Sequence, residues 1–417
     1  MDPKGFHEMT PGLPRGTKRL VNRSPTTKVH AKGIESPSHF GQTNLDRFAR
    51  RAISFASVLL TAACLAPADA PTTGAADSVG VNPNKVAVAI DDSIRLHLKI
   101  WHGAAYTQRT AGVTWLVSDS TVALIDSVGL LSGRRAGTAV VTAITDGTAA
   151  HAQVTVAPAI LAGAGDIADC SSPGDQATAA LLDGVGGIVF TAGDNAYPFG
   201  TADQFATCYG PSWGRHKSRT RPAPGNHEYM RPGAAGYFGY FGEAAGDPAL
   251  GYYSYDLASW HIVVINSSVD IKPGSPQELW LRADLASHPT RCTLAYWHYP
   301  RFSSGLAGNY SVMQAMWQAL YDAGADVVIS AHDHDYERFA PQTPSGLPDS
   351  VRGIREFVVG TGGKSLVNFD RLRRNSEVRD NSTFGVLLLK LYDDRYEWEF
   401  MPTQVGGFTD AGADTCH

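Results

Sequence analysis

The sequence has little charge and no excess of one sign. Only 18 % of its 417 residues are Asp, Glu, Lys or Arg, and the formal net charge is −5. Without a basic surplus there is no electrostatic footprint for a phosphate backbone, which excludes nucleic-acid binding as a primary role. Long hydrophobic runs are lacking too. The most conspicuous, Ala52 to Leu65, falls short of the roughly 20 apolar residues that a helical membrane span needs. What is plentiful is the chemistry of turns, with Gly 43 and Pro 24. A chain this long exceeds one ordinary core, so two domains and an export segment are expected.

Residues 1–46 are polar and basic, rich in Pro, Gly, Ser and Thr, without apolar periodicity, and read as a disordered leader. Residues 47–70 carry the pattern of a secretory signal: Arg47, Arg50 and Arg51, a short apolar run, then small residues. Ala68-Asp69-Ala70 suits ordinary cleavage, whereas Ala62-Ala63-Cys64 resembles a lipoprotein box, with Thr61 where an aliphatic residue is usual. A signal behind a long leader is unusual and points to translation starting near Leu45. The expected location is secreted, periplasmic or cell-surface, with a lipid on Cys64 as one possible anchor. Beyond Cys64 four cysteines remain, which as two disulfides allow three connectivities. The favoured pairing is Cys170–Cys208 with Cys292–Cys416, because the first two flank the same candidate site loops; unpaired buried thiols are the alternative.

After a small-residue linker (71–78), residues 79–157 read as all-β. Ser93 to Ile100 alternates with period two and predicts one half-buried strand. Val113–Trp115, Val122–Ile125, Thr138–Ile144 and Ala152–Val156 follow, with an Asp146-Gly147 hairpin signal between the last two. Short strands at regular spacing argue for a β-sandwich. The stretch from Val113 to Ala143 resembles the bacterial immunoglobulin-like repeat (group 2) of surface proteins, in a single copy, with Trp115 as core. That resemblance implies cell-envelope contact and no chemistry.

From residue 158 to 417 the pattern changes. Apolar runs end in polar, glycine-flanked loops: Ala159–Ala164 at Asp166, Gly187–Ala192 at Asp194, His261–Ile265 at Asn266, Thr293–Trp297 at His298 and Asp326–Ala331 at His332. Helical spacing lies between them at Asp175–Leu182, Gln277–Leu285 and Val312–Ala323. Strands interleaved with helices give an α/β core, whose ligands gather at strand ends. Phe384–Leu391 and Tyr396–Met401 add strands expected to close a second sheet. Five loops carry donors of metal-binding type: GDIAD, GDNAY, GNHE, WHYP and AHDHDYER. No one of these is specific; five in one domain are.

In this order the five motifs resemble the calcineurin-type metallophosphoesterases. Tyr197 in GDNAY, with no His after Asp166-Ile167, resembles the purple acid phosphatase branch. The resemblance implies a four-layer α/β sandwich with two mixed sheets, holding two metal ions. Asp166, Asp194, Tyr197 and His334 would hold the first ion. Three anionic oxygens favour Fe(III) there, and a bound cation would deprotonate the phenol, whose free pKa is about 10. Asp194 would bridge to a second, divalent ion (Zn, Mn or Fe) held with Asn226, His298 and His332. The implied activity is hydrolysis of phosphate monoesters by metal-activated water or hydroxide, the product of a secreted metallophosphoesterase acting on small molecules. His227 is the candidate catalytic residue, stabilising phosphoryl oxygens or protonating the leaving group, with orientation of a ligand as its alternative role.

Asp333 and Asp335 read as outer supports or solvated side chains, Tyr336-Glu337-Arg338 as a structural stretch joined by a Glu337–Arg338 network, and Gly360-Thr361-Gly362-Gly363 as a tight turn beside the site. One departure stands out. Relatives commonly carry substrate-facing histidines after the fourth motif, and the stretch Tyr299 to Asn309 has none; Arg301 or Asn309 are the substitutes for contacting phosphate. The same metal site would serve a phosphodiesterase or a nucleotidase. A non-catalytic surface-binding protein is the reading from another class.

Overall fold

The computed structural model describes residues 78–90 and 92–417. The leader, signal, Leu45 start and Cys64 anchor lie outside the described residues. Among the described residues, no helix is long and apolar enough to cross a membrane.

The first ten strands are β1 (Ser78–Asn82), β2 (Lys85–Ala89), β3 (Ser93–Arg95), β4 (His97–His102), β5 (Ala105–Arg109), β6 (Thr114–Val117), β7 (Ala123–Ile125), β8 (Leu130–Gly133), β9 (Gly137–Thr145) and β10 (Thr148–Ala157). They form sheets of order β1-β4-β5, β2-β10-β9-β6 and β3-β8-β7 around Leu98, Leu131, Val141 and Val154. Asp146 and Gly147 both take positive φ, 47° and 80°, at the β9–β10 turn, as a two-residue hairpin requires. The stretch Ser93 to Ile100 does not form one strand. Leu96 leaves the ladder to donate its N–H to the Gly129 carbonyl, and the two halves pair in different sheets, β3 with β8 and β4 with β1 and β5. The alternation survives because Ile94, Leu96 and Leu98 all face inward across the change of sheet.

The remaining strands are β11 (Ala159–Ala164), β12 (Ile188–Ala192), β13 (Thr220–Ala223), β14 (Tyr253–Leu257), β15 (Trp260–Val264), β16 (Cys292–Tyr296), β17 (Val327–Ser330), β18 (Tyr336–Phe339), β19 (Arg355–Val359), β20 (Ser376–Asp380), β21 (Gly385–Leu391), β22 (Arg395–Pro402) and β23 (Ala411–Thr415). Two mixed sheets result, of order β13-β12-β11-β21-β22-β23 and β14-β15-β16-β17-β19-β18-β20. Within each, the central strands run parallel (β11, β12 and β13 in one; β15, β16, β17 and β19 in the other). Parallel strands covered on both faces need continuous apolar runs, and β15, β16 and β17 are buried at every position. Strands β21 and β22 join the sheet of β11 rather than closing the other one, because β21 pairs antiparallel with β11 itself. Helices Gly174–Asp183, Pro276–Ser287 and Gln314–Asp322 follow the expected periodic stretches. Disulfides join Cys170 to Cys208 and Cys292 to Cys416.

At the opening of β15, buried His261 lies between two carboxylates, with Nδ1 2.9 Å from Asp256 and Nε2 2.9 Å from Asp284. His288 stacks on its ring at 4.3 Å and 10°. Those parallel ring planes cannot both point a nitrogen at one ion, so the group is an ion-pair cluster. Burial opposes charge on His261, but Asp284 and Asp256 outweigh it and raise its pKa. The stability this contributes is complete below the unfolded value of about 6.5 and is lost as pH rises through the higher folded value. His261→Gln should therefore cost about 1–2 kcal/mol at pH 6 and flatten the alkaline decline of Tm. Melting curves across pH 5–9 check this, and an unchanged alkaline limb would remove His261 from the account.

Candidate metal centre

The polar loops follow the carboxyl ends of parallel strands, where N–H and C=O groups leave the ladder and side chains are free to turn inward. Asp166 follows β11, Asp194 and Tyr197 follow β12, and Asn226 with His227 follows β13. His298 comes after β16, and His332 with His334 after β17. The two sheets abut at these ends. Gly165 N donates to the Val359 carbonyl, and a Cβ on Gly165 would collide with that of Ala331, so glycine is required there. Thus the six-stranded sheet supplies the carboxylates, the tyrosine and Asn226, and the seven-stranded sheet supplies the three histidines.

Three of these residues hold left-handed backbone, Asp166 at φ 57°, Asp194 at 49° and His332 at 71°. Non-glycine residues adopt it at a cost, and such strain concentrates at functional sites. Their side chains converge. Tyr197 donates its hydroxyl to Asp166 Oδ1 at 2.6 Å and lies 3.0 Å from Asp194 Oδ2. His334 Nε2 is 3.3 Å from both Asp166 Oδ1 and the Tyr197 oxygen. On the other side, His298 Nε2 lies 3.2 Å from Asp194 Oδ2, 3.0 Å from Asn226 Oδ1 and 3.0 Å from His332 Nδ1. All seven candidate ligands meet in one buried cluster, with Asp194 Oδ2 shared between a four-residue set on each side.

The outward faces of the histidines are fixed as well. His298 Nδ1 donates to the Ala192 carbonyl at 2.9 Å, which leaves Nε2 as the lone pair facing the centre. His334 Nδ1 meets Ser365 Oγ at 2.8 Å, and His332 Nε2 meets the Tyr310 hydroxyl at 2.7 Å. His227 stands at the open side, half-buried, its ring centroid 4.4 Å from that of Tyr197. Its Nδ1 donates to the Pro198 carbonyl at 2.7 Å, and Nε2 faces Asp194 Oδ2 at 3.7 Å.

The electrostatics are those of a cluster short of positive charge. Asp166 and Asp194 are 0 % and 1 % exposed, and among the described residues their ionic partners are histidines alone. Burial would raise both carboxyls; His334 for Asp166 and His298 for Asp194 reverse this and hold them low. His298 is pushed up to about 9 by the same carboxylates against its burial. Burial together with Asp166 and Asp194 drives Tyr197 well above an ordinary phenol. Buried carboxylates without lysine or arginine partners are costly unless a cation joins them, so the donor set fits a pair of bound cations.

Two supports, Glu228 and Glu356, escaped the sequence reading. Glu228, fully buried, accepts the backbone N–H groups of Gly225 (2.7 Å), Asn195 (2.8 Å), Asp194 (3.1 Å) and Ala196 (3.3 Å). It ties the β12 and β13 loops together. Burial and the Asp194 charge push it up to about 7. Buried Glu356 does the same for Arg301 N, Phe302 N and Ser330 Oγ. Asp333 accepts Ser303 Oγ and the N–H groups of Ala307 and Gly308, so it holds the β16 loop and is far from solvated. Asp335 is also buried. Only the position of Glu228, two residues beyond Asn226, could have hinted at its role.

Other expectations need correction. Glu337 and Arg338 do not pair, because successive strand residues point to opposite faces. Glu337 accepts from Ser304 and Ser376, whereas Arg338 pairs with Asp410 and Glu377. Arg301 is buried against the Pro344 carbonyl, and Asn309 Oδ1 accepts from Ser303 N, so both serve the loop and neither reaches the centre. The glycine turn does lie beside the site, with Gly362 N donating to the Gly165 carbonyl.

Residues 159–336, which include every candidate ligand, match the family model described as calcineurin-like phosphoesterase, and residues 75–156 match the bacterial Ig-like domain (group 2). Purple acid phosphatase 22 of Arabidopsis thaliana is 38 % identical over 160 residues, covering 36 % of each chain. Residues 159–336 are a calcineurin-like phosphoesterase domain, similar to the purple acid phosphatases. Purple acid phosphatase 18 of the same plant is 31 % identical over 127 residues, covering 29 % of each chain. The phosphoesterase thus spans about a third of the length of these curated relatives. The solved purple acid phosphatase PPD1 from yellow lupin (Lupinus luteus) seeds shares the fold, with TM-score 0.50, 17 % identity, and coverage of 80 % of this chain and 73 % of that one.

Proposed function

We propose that this phosphoesterase hydrolyses phosphate monoesters at a binuclear metal centre, outside the cytoplasm. The observation that carries the reading is Asp194 Oδ2, within 3.0 Å of Tyr197 and 3.2 Å of His298, between two donor sets. Asp166, Asp194, Tyr197 and His334 would hold Fe(III), and Asp194, Asn226, His298 and His332 a divalent Zn, Mn or Fe ion. When bound, the two ions supply Lewis-acid activation of the attacking water and neutralise phosphoryl charge.

The chain's own residues do the rest. Asp194 and Asp166 hold the donor sets in register through left-handed backbone that Glu228 and the Gly165 approach maintain. His227 turns Nε2 toward Asp194 at the rim of the centre, since the Pro198 carbonyl takes its Nδ1 proton; as an imidazolium it would donate from Nε2 to a phosphoryl oxygen or to the departing alkoxide. The buried walls exclude water from the carboxylates, so each hydrogen bond there acts in a low dielectric. Two disulfides and the Ig-like domain agree with an extracellular setting and with contact to the cell envelope.

Purified protein supplied with iron and zinc should bind two metals and hydrolyse aryl phosphates. With ferric iron beside a Tyr197 phenolate it should show a visible charge-transfer band. Tyr197→Phe should abolish that band while His334 and the carboxylates remain. Elemental analysis and absorption spectra check both, and well-folded protein without stoichiometric metal would overturn the reading. A colourless, active zinc or manganese protein would correct the ferric assignment alone.

A further inference from the structure

Beside Asn226 opens a cleft of about 670 Å³, lined among others by Tyr229, Tyr299, Tyr310, Ser267 and Lys272. Its size falls within the roughly 300–1,000 Å³ of small-molecule sites. Tyr299 and Tyr310 stack on each other at 4.4 Å and 15°, and both meet the His332 ring edge-on, at 4.7 Å and 5.2 Å. Ser267 Oγ accepts the Tyr299 N–H at 3.2 Å, which ties the serine loop to that tyrosine. The Tyr229 hydroxyl is fixed by Asn266 Nδ2 at 2.7 Å, which sets that ring in place.

Resting on the phosphatase reading, we propose that this cleft receives the leaving group, and that Tyr299 and Tyr229 make the enzyme selective for monoesters whose alcohol bears a planar aromatic ring. Asn226 belongs both to the donor cluster and to the cleft wall, so an ester held at the centre would extend its alcohol into the cleft. A small aliphatic alcohol would leave most of that volume to water. A nucleoside or a benzyl group would lay an aromatic face against the tyrosines. Tyr310 is tied to His332 and so is a positioning residue for the metal site; Tyr299 and Tyr229 are the specificity residues.

The test compares adenosine 5′-monophosphate, benzyl phosphate and glycerol 3-phosphate, all esters of primary alcohols, so that kcat/KM reports contacts more than leaving-group reactivity. Metal-loaded wild type should favour the two aromatic esters by about 10-fold or more, the worth of one stacked ring. Tyr299→Leu and Tyr229→Leu should each shrink that ratio severalfold, and Tyr299→Phe should preserve it. A larger preference for the nucleotide than for the benzyl ester identifies a nucleoside site, and the reverse an aryl site. Equal kcat/KM for all three esters, or a preference indifferent to both leucine variants, would overturn the proposal and leave the phosphatase reading intact. Calorimetric binding of adenosine to metal-free protein, weakened about 10-fold in Tyr299→Leu, supports the cleft independently of turnover. Such binding without hydrolysis of any ester would sink the phosphatase reading instead.

Discussion

Asp194→Asn should leave the protein folded and strip it of activity, lowering aryl phosphate hydrolysis by about 10³-fold or more, with fewer than two metals retained. Asparagine is the right probe for three reasons. It matches aspartate in size at a position that is 1 % exposed. It tolerates the left-handed backbone that residue 194 holds at φ 49°. Its amide oxygen can still accept the His227 N–H, which now bonds Asp194 Oδ1 at 2.9 Å. What disappears is the charge at Oδ2, the atom that both donor sets share. A neutral amide cannot bridge two cations, so the loss of metal and the loss of rate should appear together. Metal analysis beside a kinetic assay decides it: wild-type turnover with two metals bound would end the bridging role.

The second large effect is expected from a residue that touches neither metal nor substrate in this scheme. Glu228→Gln should destabilise the protein by about 3–5 kcal/mol and weaken metal binding about 10- to 100-fold. Each Glu228 oxygen accepts two backbone N–H groups, Oε1 from Asn195 and Ala196 and Oε2 from Asp194 and Gly225. Replacing one oxygen with NH₂ sets donor against donor at two buried amides, and no solvent reaches them. The strained loop of Asp194 then loses what holds it. Denaturant melts give the stability change and a competition titration gives the affinity. Unaltered melting with unaltered affinity would show that the four hydrogen bonds are dispensable.

These two residues also mark what could be read from the sequence. Asp194 was legible because a buried parallel strand is a continuous apolar run, and a polar residue behind glycine at its end is conspicuous. The same reasoning picked out Asp166, His298 and His332, and also Asn266, whereas Asn226 and His334 entered through the motifs GNHE and AHDHDYER. Glu228 was not, because an acid in a loop is ordinarily solvated and nothing local reveals that four amides surround it. The split of Ser93 to Ile100 between sheets was hidden for a related reason: period two reports which side is buried and is silent about which partner strand is paired. Arg301 misled as a phosphate contact because a charge near a site looks purposeful, while its surroundings made it a buried prop for the loop. Edge strands such as β23, half-exposed and built of small and polar residues, carried too little pattern to register.

The bond between Cys292 and Cys416 has a consequence for how the enzyme must be made. Cys292 opens β16, at the end remote from His298, and Cys416 follows β23 of the opposing sheet. The link therefore fastens the two halves of the sandwich at their rear, while the donors that must meet come from both halves at the front. Protein matured in a reducing cytosol would lack this rear fastening, and its seven candidate ligands would depend on packing alone for their alignment. Folding under oxidising conditions, before any metal is added, is the route to a fully assembled centre.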